Sequence, residues 1–281
     1  MSARTRRARS ADGAPPEAPE PIVDLAPPEL TIVLPVYNEH GSIAVVLEGI
    51  EAKVRTAHET LVVYDFDEDT TLPVVRELQP RMPGVRLVRN DLGRGVLNAM
   101  KAGMRAARGT YVLVTMADGS DEAADVDPMV ALATLGADVV AASRYMPGGR
   151  QIGGPRLKRA LSRAAGWSLN AIGAIPIHDP TSNFKLYRRS FLESVEIEST
   201  AGFELALELS VKAAVAHRRM AEVPTTWRDR TSGTTRFRLR AWLPHYLHWY
   251  RRAIAWRLGD LGRRRPRGRP GRSGPGTPVA G

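Results

Sequence analysis

From Leu30 onward the chain alternates short apolar runs with amphipathic stretches. Leu30–Pro35, Thr60–Tyr64, Val85–Val88, Tyr111–Thr115 and Asp138–Ala142 are runs dominated by apolar side chains. Between them, Ser42–Ala52 puts Ile43, Val46, Leu47 and Ile50 on one helical face, and Thr70–Leu78, Gly95–Ala107 and Asp127–Leu135 have helical character. Strands that alternate with helices predict an α/β fold: a mostly parallel sheet whose crossovers are its flanking helices.

After residue 142 the pattern loosens. Gly148-Gly149 and Gly153-Gly154 flank a loop predicted to be mobile, and Pro155–Ile172 predicts a basic amphipathic helix. Asp179–Tyr187 resumes strand character, Phe203–Ala216 is helical, and Arg219–Trp227 ends the core. Residues 238–258 predict one or two helices broken near Pro244. Leu243, Leu247, Tyr250, Ile254, Leu258 and Leu261 share one face there, with Trp242, Trp249 and Trp256 beside it. The expected organisation is a disordered leader over 1–28, one domain over 29–237, amphipathic interfacial helices over 238–262, and a disordered basic tail over 263–281.

Charge sharpens this division. Residues 31–235 hold 24 Lys and Arg against 24 Asp and Glu, whereas residues 236–281 hold 12 against 1. The body is neutral, and the C-terminal stretch carries the whole basic excess. Such a segment seeks a polyanion, either an anionic membrane surface or nucleic acid. Pro266-Arg267-Gly268-Arg269-Pro270 resembles the AT-hook, but five residues in a biased tail beside a neutral body argue against nucleic acid. A membrane protein that recruits the tail is a further partner its charge allows. The tryptophans of 238–258 either lie on the membrane or pack on the domain. The chain has no cysteine, which excludes disulfides, thiolate metal sites and thiol nucleophiles and fits a reducing cytoplasm. Its start lacks the apolar stretch of a signal peptide, and no run of 18 apolar residues predicts a spanning helix.

The candidate chemistry starts where the fourth strand ends, at Met116-Ala117-Asp118-Gly119-Ser120-Asp121. Ligands bind beyond the carboxyl ends of strands in open α/β sheets. Asp118, Ser120 and Asp121 offer oxygen ligands for a hard divalent cation able to neutralise a diphosphate. The same residues also compose an ordinary turn.

Three further segments join this one in order: Thr31-Ile32-Val33-Leu34-Pro35-Val36-Tyr37-Asn38-Glu39, the acidic 65–69, and Asp179-Pro180-Thr181-Ser182-Asn183-Phe184-Lys185-Leu186-Tyr187-Arg188. Together they resemble the family 2 glycosyltransferases of GT-A fold, and among those the dolichol- or polyprenol-phosphate hexosyltransferases, over about residues 30–240. The resemblance implies inverting transfer of a hexose from a GDP- or UDP-linked nucleotide sugar to polyprenyl phosphate, with Mg²⁺ or Mn²⁺. Pro35, Tyr37, Asn38, Glu39, Asp65 and Asp118 then fall at the donor site. Tyr37 is suited to the base and Glu39 to the ribose hydroxyls. Asp118, Ser120 and Asp121 fall at the metal.

An anionic acceptor needs cations. Arg144, Arg159 and Arg230 match family positions and, with Asp118, are the catalytic candidates. Arg144, Arg159, Arg163, Asp179 and Arg236 are the acceptor-site candidates. Gly93-Arg94-Gly95 reads as a tight turn rather than a phosphate loop.

Two positions depart from the family pattern: Tyr64 replaces the first of two adjacent Asp, and Met116 replaces the first carboxylate of Asp-x-Asp. These departures prompt a non-catalytic relative as an alternative. The Gln/Arg-x-x-Arg-Trp string of polymer synthases is absent. A sugar or glycan hydroxyl acceptor is the other alternative; it requires a general base, for which Asp179, Glu204 and Glu208 are the candidates. A lipid phosphate is already ionised and needs none. The expected location is cytoplasmic and peripheral to the membrane.

Overall fold

The computed structural model describes residues 28–229 and 239–263. Residues 1–27 of the leader, the stretch containing Arg230, Ser232–Thr235 and Arg236, and residues 264–281 of the tail lie outside the described residues.

The first half follows the predicted alternation: β1 (Leu30–Pro35), α1 (Ile43–Lys53), β2 (His58–Tyr64), α2 (Thr71–Leu78), β3 (Val85–Arg89), α3 (Val96–Ala106), β4 (Tyr111–Val114), α4 (Val126–Thr134) and β5 (Val139–Ser143). The second half adds β6 (Arg150–Ile152), α5 (Arg156–Ala171), β7 (Lys185–Arg188), α6 (Arg189–Glu193), α7 (Leu205–Val215), β8 (Met220–Pro224), β9 (Thr226–Arg228) and α8 (Leu239–Arg263). Seven strands form one sheet in the order β3-β2-β1-β4-β7-β5-β8. Only β7 runs antiparallel to its neighbours β4 and β5. β6 and β9 form a separate parallel pair.

The central strands read as unbroken apolar runs because both sheet faces are covered. In β1, Leu30, Ile32 and Leu34 point into a core shared with α1, α2 and α4. Val33 points the other way, into a core shared with α3, α6 and α7. β4 repeats the alternation, with Leu113 on the first side and Val112 and Val114 on the second. This two-sided burial fixes the register, so the strand ends carrying Pro35, Asp65 and Asp118 emerge along one edge.

Two expectations need correction, and one open alternative is decided. Strand structure at the Asp179 segment begins only at Lys185; residues 179–184 are a loop whose polar side chains serve other partners. Residues 239–263 form one unbroken helix that contains Pro244. That proline lies close to the helix start and removes a single ladder hydrogen bond, while packing further along holds the helix together. Of the two readings of the tryptophans, the structure shows the second: they face the domain. Trp249 is 3% exposed and packs with Ala253 against α7. Trp242 lies 5.3 Å from the Phe203 ring, and Trp256 lies 5.9 Å from the His217 ring. Among the described residues no helix is long and apolar enough to cross a membrane.

Candidate active site

The donor-side candidates sit on three successive strand ends. Tyr37 follows β1 and meets Phe66, which follows β2, edge to face at 5.4 Å. The Arg94 guanidinium covers the same Phe66 ring at 5.2 Å from its centroid. These three side chains, from three loops, make an aromatic and cationic platform suited to a nucleobase and its phosphates. Phe66 and Arg94 were not among the expected site residues. Their neighbours in sequence are ordinary turn residues, and only the fold assembles them.

Asn38, Glu39 and Asp65 serve the loops that carry the platform. Asn38 adopts the left-handed conformation (φ 55°). Its backbone N–H donates to both oxygens of the buried Asp69 (3.0 and 3.1 Å), and its Oδ1 accepts from Thr70 N–H at 3.1 Å. Glu39 N–H donates to Thr71 Oγ1 at 2.9 Å, and Ser42 Oγ donates to the Glu39 carboxylate at 3.1 Å. Asp65 accepts from Asn90 Nδ2 (2.7 Å) and Gly95 N–H (2.8 Å), fastening the loop that presents Arg94. Pro35 is buried at the end of β1.

Beyond β4, the chain turns through Gly119, at φ 73°. Ser120 N–H donates to Asp118 Oδ1 at 3.1 Å, and Arg228 N–H donates to the Ser120 carbonyl at 3.1 Å, tying β9 to this loop. Asp121 accepts from Thr115 Oγ1 (2.7 Å) and Met116 N–H (3.3 Å). Burial, with the Asp118 charge added, outweighs these hydrogen bonds and pushes the Asp121 carboxyl up to about 6. Two carboxylates that repel one another offer hard oxygen ligands of the kind a divalent cation takes. The described residues contain no group of three His, Cys, Asp or Glu side chains able to hold a metal. A cation here would therefore take most of its ligands from substrate phosphates and water.

Among the acceptor-side candidates, Asp179 meets Arg144, which follows β5. Its Nε donates to Asp179 Oδ2 at 2.7 Å, its Nη2 to Asp179 Oδ1 at 2.9 Å, and its backbone N–H to Oδ2 at 3.2 Å. Asp179 is fully buried and the Arg144 side chain is 12% exposed. Burial opposes charge on both partners, but their mutual attraction wins. The Asp179 carboxyl lies below its usual range and the Arg144 guanidinium above its own. Arg144 Nη2 also reaches Ser162 Oγ at 3.5 Å, and Ser162 Oγ shares a 2.6 Å hydrogen bond with Thr181 Oγ1.

Asp179 thus works beneath Arg144 as its anchor. Its loop is held in turn by Glu222, which accepts from His178 N–H (2.7 Å) and Asp179 N–H (3.1 Å). Arg159 is half-buried on α5 and close enough to affect Tyr145, while Arg163 is exposed on the same helix. Behind the loop, the buried Lys185 ammonium donates to the Pro180 carbonyl (2.8 Å), the Ala206 carbonyl (3.3 Å) and Ser210 Oγ (2.9 Å). From α8, the half-buried Tyr246 phenol feels the charges of Glu204, Arg144 and Asp179. Lys185 and Tyr246 carried no distinguishing signal, because each reaches the site only through tertiary packing.

The two other expected bases are committed elsewhere. Glu204 is fully buried and accepts from Ala201 N–H (2.8 Å) and Gly202 N–H (2.6 Å). Glu208, equally buried, accepts from Glu198 N–H (2.6 Å) and Ser199 N–H (2.8 Å) and pairs with Lys212.

The chain is similar in sequence and in fold to known proteins. The chain is 26% identical over 230 residues to a dolichol-phosphate mannosyltransferase of Pyrococcus furiosus, covering 79% of this chain but only 63% of that relative's length. It is 29% identical over 213 residues to the polyprenol monophosphomannose synthase of Mycolicibacterium smegmatis, covering 73% of this chain and 79% of the relative. An uncharacterized glycosyltransferase of Mycobacterium tuberculosis is 31% identical over 207 residues, covering 74% of this chain and 88% of the relative. Among solved structures, the mannosyl-3-phosphoglycerate synthase of Rubrobacter xylanophilus superposes with a TM-score of 0.58 at 21% identity, covering 87% of this chain and 78% of that one. The glucosyl-3-phosphoglycerate synthase of Mycobacterium tuberculosis, in complex with Mn²⁺, UDP and glucosyl-3-phosphoglycerate, superposes at 0.56 and 19% identity, covering 84% and 81%. The fold is thus GT-A, as the resemblance implied. The sequence model of Glycosyl transferase family 2 matches residues 31–196, more than half of the 281, so this chain belongs to that family.

Proposed function

We propose that the protein transfers a hexose from a GDP- or UDP-linked sugar to polyprenyl phosphate, with inversion, at the cytoplasmic surface of a membrane. The observation that carries the phosphate acceptor is the fate of the three carboxylates suited to act as base. Asp179, Glu204 and Glu208 are all fully buried and hydrogen-bonded to other groups. A hydroxyl acceptor needs a carboxylate free to take its proton, whereas a phosphate oxygen attacks without giving one up. The mannosyltransferases of Pyrococcus and Mycolicibacterium support the same reading through the lipid phosphates in their names.

In this scheme Tyr37, Phe66 and Arg94 seat the nucleotide, and Asp65 holds Arg94 in place. Asp118 and Asp121, with Ser120, would hold Mg²⁺ or Mn²⁺. That ion, when bound, neutralises charge on the leaving diphosphate. Arg144 is aimed by Asp179 at the space shared with Ser162 and Thr181, where it offsets repulsion between two anions brought together for reaction. Arg159, Arg163, Arg230 and Arg236 supply further positive charge on the acceptor side. Holding acceptor oxygen and anomeric carbon in line supplies much of the rate.

A donor-by-acceptor assay tests this directly. Purified protein with Mg²⁺ or Mn²⁺ is given GDP- and UDP-sugars, with and without polyprenyl phosphate in vesicles. Nucleoside diphosphate release that requires the lipid phosphate is the expected result. Release that instead requires a soluble glycan would refute the acceptor assignment, and failure to bind any donor would point to a non-catalytic relative.

A further inference from the structure

Helix α5 inverts the usual amphipathic arrangement. Gly166 and Leu169 are buried, and Gly166 packs so closely on the His178 carbonyl that a Cβ there would collide with it. The opposite face is apolar yet open to solvent: Leu157 is 63% exposed, Leu161 42% and Trp167 70%. Successive spacings of four and six residues put these three side chains on one side of the helix, with the exposed Ala160, Ala164 and Ala171 between them. Exposed Ile152 precedes this stripe, and exposed Ile172 follows it. Arg257 Nε, on α8, donates to the Ile172 carbonyl at 3.1 Å, which ties α8 to this end of α5.

Charge identifies what covers this face. The sixteen residues of α5 include Arg156, Lys158, Arg159 and Arg163 and no acidic residue. Arg156 and Arg163 border the apolar stripe on the side of Trp167, and Lys158 borders the other. An apolar stripe with a tryptophan and basic flanks matches an anionic lipid surface, where apolar side chains enter the acyl boundary and cations meet headgroups. A second protein would need acidic groups around an apolar patch to satisfy the same cations.

We propose that α5 docks this protein on an anionic bilayer through Leu157, Leu161 and Trp167. The proposal rests on the reading that the acceptor is a membrane lipid, and it gives the helix two faces with two tasks. The outer face enters the bilayer surface, while Ser162, on the inner side, hydrogen-bonds Thr181 beside Arg144. A lipid phosphate would then pass from headgroup level to Arg144 around one helix. The tryptophans of α8 take no part, since they are packed inward.

Co-sedimentation of the full chain with vesicles lacking polyprenyl phosphate separates docking from acceptor chemistry. Mixed phosphatidylcholine–phosphatidylglycerol vesicles are expected to pellet the protein, and pure phosphatidylcholine vesicles much less. Leu157→Ser and Trp167→Ser are each expected to weaken binding about tenfold. Turnover with a short, water-soluble prenyl phosphate should stay unchanged in both variants, which also reports that they fold. Trp167→Phe should keep vesicle binding but lose most quenching of tryptophan emission by brominated lipid.

Wild-type protein that ignores anionic vesicles would overturn the proposal, as would Ser variants that pellet like wild type. Self-association in ultracentrifugation that Trp167→Ser abolishes would assign the face to a second copy instead. Vesicle binding that persists while no lipid phosphate accepts sugar would leave the docking face standing and refute the acceptor assignment alone.

Discussion

Asp179→Asn separates the anchoring of Arg144 from its chemistry. The substitution keeps the shape of the side chain and removes the charge that the guanidinium faces. Asp179 is fully buried and the Arg144 side chain is 12% exposed, so water can do little to replace the lost partner. Stranding one member of a buried pair costs about 3–5 kcal/mol. Asparagine keeps one acceptor oxygen, so the lower end, about 3 kcal/mol, is the expected loss. For a domain of this size that corresponds to a fall of roughly 6–12 °C in Tm. A guanidinium that shifts by about 1 Å also loses roughly 100-fold in turnover. Arg144→Met should lower turnover at least as much. The double variant should recover about 2 kcal/mol relative to the sum of the single losses, because no buried charge is left unpaired. Its activity should not recover. The assay is a double-mutant cycle in thermal or urea unfolding, run beside nucleoside diphosphate release. Additive stabilities, or an Asp179→Asn protein with wild-type Tm, would refute the claim that this pair is a buried and coupled unit.

Other perturbations reach different parts of the molecule. Asp118→Asn should cut turnover by about 100-fold or more while leaving Tm unchanged or raised, since it relieves the repulsion felt by Asp121; wild-type turnover would exclude Asp118 from the metal site. Glu59 is buried near the start of β2, where Thr31 Oγ1 (2.8 Å), Arg108 Nε (3.0 Å) and Arg86 Nη1 (2.7 Å) donate to it. Burial pushes its carboxyl up, but Arg108, Arg86 and Thr31 together hold it below the usual value of 4.5. The stability it contributes is therefore present above that value and lost as pH falls through the folded-state pKa. Glu59→Gln should destabilise by about 1–3 kcal/mol at neutral pH, and urea titrations should show the gap closing in acid. For Lys185, burial is the larger influence and pushes its ammonium down to about 7 against the pull of Asp179. The unfolded chain binds the extra proton above that value, so stability measured against Lys185→Met should rise from pH 7 towards 10.5 and be lowest below 7. Gly166→Ala should push α5 off the His178 carbonyl, costing about 1–3 kcal/mol and slowing transfer, both readable by unfolding and turnover.

The sequence alone determined the alternation of strands and helices, because burial on both faces demands continuous apolar runs and leaves few arrangements for them. It also set Asp118, Asp121 and Arg144 just beyond strand ends, where local pattern and chain order suffice. Pro244 misled because a missing N–H is visible in sequence, whereas the inward packing of Trp249 and Ala253 that keeps α8 whole is not. The three tryptophans of α8 and the stripe on α5 make the same point from opposite sides. Periodicity says that a helix has an apolar face but not whether protein covers it. Tertiary structure decided that Trp249 is buried and Trp167 exposed. It also decided that Asp179 is the anchor of Arg144, and that Phe66 and Arg94 join Tyr37 from three separate loops. These facts depend on contacts between residues far apart in the chain, and such distances are set only when the elements close on a common core.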